Sequence, residues 1–177
     1  MPNFILNITS QDDDLMLSNP DIQCYLLSSN IDGQALQKLV HQIAKSAKIS
    51  LLFGEKSVEK AASLTVDGVL ADLSKSENIK KDIIDIRHRL KNGILGVICR
   101  NRRHEAMIVS ENEPDFVVFK IWSDGAEKTL ELARWYSEFF LLQMAVFPQD
   151  ENTNFEQYPC DIIILTPEQY KIFVAKK

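Results

Sequence analysis

The chain has 177 residues, 45% of them hydrophobic and 25% charged, a balance that fits one ordinary globular domain over 1–177. A net charge of −5 argues against wholesale binding to nucleic acid or to anionic membranes, because both need a basic surface that displaces counterions. No apolar run approaches the ~20 residues of a membrane span and no cationic-then-apolar leader opens the chain, so a cytoplasmic location is expected.

Taken in chain order, Phe4–Ile8 is a candidate first strand inside an otherwise irregular segment, 1–20. The Asp12-Asp13-Asp14 run lacks the alternating ligands and the Glu of a calcium loop, so it reads as a solvated turn rather than a cation site. Gln11–Pro20 is too short and polar for a crossover helix of ten to twelve residues. Short apolar runs then recur at Gln23–Ser28, Ile49–Phe53, Gly68–Asp72, Ile94–Cys99, Phe116–Ile121, Met144–Phe147 and Asp161–Leu165. They lack period-2 alternation, as do strands buried on both faces of a parallel sheet.

Between these runs the period changes. Leu36, Leu39, Val40, Ile43 and Ala47 make one face of a helix, and Ile79, Ile83, Ile86 and Leu90 make another. Ala126–Leu141 puts Leu130, Ala133, Tyr136, Ser137 and Phe140 on one side, and Pro167–Lys177 closes the chain as a helix of about three turns. The order is that of repeated βα units.

Cys24, Cys99 and Cys160 are odd in number, far apart and each in or beside a strand, which favours buried free thiols over disulfides or a metal cluster. Cys99 sits beside Arg100, where a cation could lower its pKa, but packing is the preferred role. His41, His88 and His104 are isolated, without an i, i+4 pair, and read as surface or packing residues.

Several segments resemble thiamin phosphate synthase and its TenI-like relatives. Gly96-Val97-Ile98-Cys99, Arg103-His104-Glu105-Ala106-Met107 and Asp115-Phe116-Val117-Val118-Phe119 resemble the middle of that family, and Asp67-Gly68-Val69 resembles its D-G-V-H segment. Leu132–Glu138 followed by Met144-Ala145-Val146 is similar to its late helix and A-I-G-G strand. The match is collinear from about Gln23 to about Thr166. The resemblance implies a (β/α)8 TIM barrel that joins hydroxymethylpyrimidine diphosphate to a thiazole phosphate using magnesium. Such barrels usually take roughly 200 residues or more, so this one is expected to be shortened and to lack its first helix, with an open doubly wound α/β sheet as the alternative.

Barrel chemistry sits at the C-terminal ends of the strands. There the family's Arg and Lys are replaced by Leu26 and Ser28, and its Asn-Asp by Gly54-Glu55 or Glu55-Lys56. The D-G-V-H histidine is Leu70, and the second metal aspartate falls near Ser74 or Lys75, with Asp72 two residues early. The threonine-rich phosphate loop shrinks to Lys120–Gly125, the glycine pair becomes Phe147-Pro148, and the last phosphate turn becomes Leu165–Glu168. Phosphate cradles expose several backbone N–H groups at glycines, which Phe and Pro obstruct.

These departures predict a thiamin phosphate synthase-like protein that has lost catalysis and serves as a binding or interaction protein, without a cofactor. The rival is an active thiamine-phosphate pyrophosphorylase, using Glu55 and Asp72 for magnesium and Arg100, Arg102, Arg103 or Lys120 for phosphate. A third reading gives the mouth a new small-molecule site lined by Leu26, Phe53, Trp122 and Phe147, unless those side chains plug it. The missing first helix would leave an apolar flank, from which a homodimer is expected.

Overall fold

The computed structural model describes residues 3–151 and 153–176. Eight parallel strands form a barrel: β1 (Asn3–Ile8), β2 (Ile22–Ser28), β3 (Ile49–Phe53), β4 (Gly68–Asp72), β5 (Ile94–Ile98), β6 (Phe116–Ile121), β7 (Gln143–Pro148) and β8 (Ile162–Leu165). They pair in sequence order, and β8 pairs back onto β1 through Phe4 opposite Ile163. That closure excludes the open doubly wound sheet. Six helices pack outside: α1 (Gly33–Lys45), α2 (Ser57–Leu64), α3 (Ile79–Leu90), α4 (Arg103–Glu111), α5 (Ala126–Phe139) and α6 (Pro167–Ala175).

The unbroken apolar runs have two destinations. Ile5, Leu26, Leu51, Leu70, Ile98 and Val118 point into the barrel, while Leu6, Leu27, Leu52, Val69, Val97 and Phe119 point out beneath the helices. Both faces are therefore dry, which is why polar alternation is missing from the sequence. Gly96 belongs to the inner set. A methyl there would overlap the Phe116 ring, so glycine makes room for the largest side chain inside the barrel floor.

The bottom of the barrel is pinned by a repeated device. Asp67, Asp115 and Asp161 each stand immediately before an even-numbered strand, and their carboxylates accept the backbone N–H of Ser50, Leu95 and Met144 on the preceding strand, at 2.8, 2.7 and 2.9 Å. Each aspartate returns its own N–H to the carbonyl of that same residue. Strand register is thereby fixed from both sides of each pair.

The helix after β1 is absent, as expected, and residues 9–21 take its place. Asp13 accepts the N–H groups of Thr9 and Ser10, Asp14 pairs with Lys171 at 3.2 Å, and Asn19 donates to the Tyr170 hydroxyl at 3.1 Å. The acidic run is thus a loop fastener. Leu15 is buried and Met16 and Leu17 pack against the core, so the flank from which a homodimer was expected is filled from within the chain. The candidate strand at Phe4–Ile8 is formed, as β1 over Asn3–Ile8.

Among the described residues no helix lies between β7 and β8 either, which the sequence pattern did not indicate. The described part of that connection covers the face as a loop, in which Tyr158 donates to the Ala126 carbonyl at 2.8 Å and Phe155 packs on Phe173 at 5.5 Å between ring centroids.

Candidate functional site at the barrel mouth

Inward-facing positions at the C-terminal strand ends define the mouth: Asn7, Ser28, Phe53, Asp72, Lys120 and Phe147. The alternation that buries Leu70 and Val118 inside the barrel brings Asp72 and Lys120 up at its rim. Their side chains meet across β5, Lys120 Nζ lying 2.6 Å from Asp72 Oδ2, with 19% and 31% of each side chain exposed. Ser74 donates to the other carboxylate oxygen through its hydroxyl at 2.6 Å and its N–H at 3.0 Å. Burial pulls the Asp72 pKa up, but the hydrogen bonds from Lys120 and Ser74 outweigh it and hold the carboxyl below its ordinary value.

Above this pair the mouth is apolar. The Lys120 ammonium lies 5.9 Å from the centroid of Phe53, and Phe53 meets Phe147 edge-to-face at 6.1 Å. Leu26 is fully buried in the barrel core. Trp122, the fourth residue expected to line the mouth, is 49% exposed on the β6–α5 connection.

The three arginines do not converge. Arg100 is held by Glu105, its Nε 2.7 Å from one carboxylate oxygen and its backbone N–H 3.1 Å from the other. Arg102 is the exposed N-cap of α4, and the Arg103 guanidinium lies over the Trp135 ring at 5.1 Å, on the outer helical layer. Glu105 is buried and consumes the one arginine nearest the rim, a role that the sequence pattern did not reveal. Asn101 was also missed: it donates to the Lys120 carbonyl at 2.7 Å and so steadies the strand end that carries the lysine.

Glu55, the other expected magnesium ligand, is exposed on the turn after β3. Among the described residues no group of three or more His, Cys, Asp or Glu side chains is placed to hold a metal ion. The cysteines are free, and burial pushes the Cys99 thiol up to about 12, the nearby Glu105 adding to the effect. Arg100 does not activate it.

The other half of the mouth is a cavity of about 790 Å³ between the β7–β8 connection, β1 and the start of α6. TIM barrels frequently bind phosphate after β7 and β8. Here the N-terminus of α6 is already capped: Thr166 Oγ1 accepts the Gln169 N–H at 3.2 Å, and the Gln169 side chain accepts the Thr166 N–H at 2.9 Å. Pro167 offers no N–H, and Glu168 puts a carboxylate in the first turn. An anion would meet no free cradle at that turn.

The fold places the chain among (β/α)8 barrels. No protein-family model matches it, and no curated protein does. Among solved structures it is similar to the YdjI aldolase of Escherichia coli K12, with a TM-score of 0.64 and 10% identity over 99% of this chain and 78% of that one. It is also similar to orotidine 5′-phosphate decarboxylase from Thermotoga maritima, with a TM-score of 0.59 and 12% identity over 98% of this chain and all of the other. At such identities the likeness is one of fold. Neither is a thiamin phosphate synthase. Among the described residues no helix is long and apolar enough to cross a membrane.

Proposed function

We propose that the chain is a thiamin phosphate synthase-like barrel that has lost catalysis and works as a binding or interaction protein. The observation that carries this reading is the Lys120–Asp72 ion pair. On the β4–β6 side of the mouth, the lysine that could hold a phosphate and the carboxylate that could hold magnesium neutralise each other, and Ser74 occupies the second carboxylate oxygen. Binding a magnesium diphosphate would require breaking that pair and moving the Phe53 and Phe147 rings. Arg100, already paired with Glu105, supplies no substitute.

Thermal-shift titrations with hydroxymethylpyrimidine diphosphate and thiazole phosphate, each with and without magnesium, test the reading. No stabilisation by either is expected. Magnesium-dependent stabilisation by the diphosphate, lost in Asp72→Asn, would restore the pyrophosphorylase reading.

A further inference from the structure

We propose that the cavity beside α6 is a binding site for a small organic cation, a primary ammonium group on a compact apolar body. The inference rests on the reading of the chain as a binding protein and names what it would bind.

Charge is the first argument. Asp150, Glu151, Glu156 and Glu168 line the cavity, against Lys176 alone among the described residues, which leaves three net negative charges. Lys176 is the C-cap of α6, at the opposite end of that helix from Glu168 in its first turn. Asp150 is fixed in place, accepting the Ser123 N–H at 2.7 Å and the Thr153 hydroxyl at 2.8 Å. Such a field attracts cations and rejects phosphate.

The second argument is independent of charge. Asn7 is only 8% exposed, and it follows Ile5 on the inward face of β1, which aims its amide into this cavity. Among the described residues that amide makes no side-chain hydrogen bond, and its atoms stay open to the space of the cavity. Its carbonyl oxygen can accept from an ammonium N–H. Phe147 and Phe155 supply apolar and aromatic surface for the body of the ligand. Carboxylates, an unpaired amide and two rings around one space match an arylalkyl ammonium ion and no phosphate ester.

Calorimetric titration of the full chain at low ionic strength with phenethylamine, its neutral isostere 2-phenylethanol and inorganic phosphate tests this. Phenethylamine is expected to bind at least about tenfold more tightly than the alcohol, as a charged hydrogen bond inside a cavity implies. Asn7→Leu is expected to abolish binding. Because that variant sits inside the barrel, the surface pair Glu151→Gln with Glu168→Gln provides a separate check, with a loss of about threefold to tenfold. Equal binding of amine and alcohol, no amine binding at millimolar concentration, indifference to both sets of variants, or displacement of the amine by phosphate would each overturn the proposal. Diphosphate with magnesium acting through Lys120 would defeat the wider reading instead, leaving this cavity to be judged by the amine alone.

Discussion

Lys120 and Asp72 are 48 residues apart in sequence, on strands separated by β5, yet their charged atoms lie 2.6 Å apart at the rim of the barrel. Each on its own is a residue with catalytic potential; together they neutralise each other, with the Phe53 ring centroid 5.9 Å from the ammonium. Replacing Lys120 by Met leaves Asp72 without its strongest partner and is expected to cost about 1–2 kcal/mol, with the Lys120→Met, Asp72→Leu double variant recovering part of it. Urea unfolding of the three variants measures this.

The same pair sets an acid limit. Asp72 has its pKa lowered in the fold from an ordinary 3.8, so it contributes stability that is present above that value and disappears as pH falls through the lowered one. Wild type is expected to lose stability relative to Asp72→Asn as pH drops below about 4, and the two curves to run parallel above pH 6. Thermal melts across pH 2.5–7 (roughly the span from below the carboxylate range to neutrality) check the sign.

At the opposite end of the barrel, Asp115 bonds the Leu95 N–H and also pairs with Arg87 at 3.0 Å, whereas Asp67 and Asp161 lack that ion pair. Alanine at any of the three strands a backbone N–H and is expected to cost about 1–2 kcal/mol. Arg87 is partly exposed, so Asp115→Ala should exceed the other two by no more than ~1 kcal/mol. Chemical denaturation of the three variants ranks them.

Much of this fold could be read from the chain because parallel strands buried on both faces leave unbroken runs such as Ile94–Ile98 and Phe116–Ile121, and Leu36, Leu39, Val40 and Ile43 mark α1 unmistakably. The missing first helix was equally visible in Gln11–Pro20. The lack of a helix among the described residues after β7 was not, because Phe155 and Tyr158 give residues 149–161 an apolar content that only the packing onto Phe173 and Ala126 explains. Site residues fared less well for the same reason. Asp72 and Lys120 each stood out, but their pairing depends on which strands the closed barrel sets two apart. The three arginines looked like one cluster in sequence, whereas the start of α4 sends Arg103 outward to Trp135 and returns Glu105 to Arg100. Asn7 drew no notice, since its meaning depends on β1 closing against β8.

Thiol chemistry separates packing from reactivity. Burial raises Cys24 and Cys99 from 9.0 to about 12 and Cys160 to about 11. At pH 8 the thiolate fraction is therefore negligible at all three, and iodoacetamide is expected to label the folded protein slowly, Cys160 first, and all three sites rapidly in urea. Mass spectrometry of timed aliquots gives the order. Fast labelling of Cys99 in the native protein would mean that Arg100 reaches it after all.

Diphosphate release tests most directly the proposal that this mouth performs no phosphate chemistry. Purified protein in excess over hydroxymethylpyrimidine diphosphate and thiazole phosphate, with magnesium, is expected to release no diphosphate above the protein-free control. Release that Asp72→Asn or Lys120→Met abolishes would contradict the claim and make the ion pair a resting state of a working site.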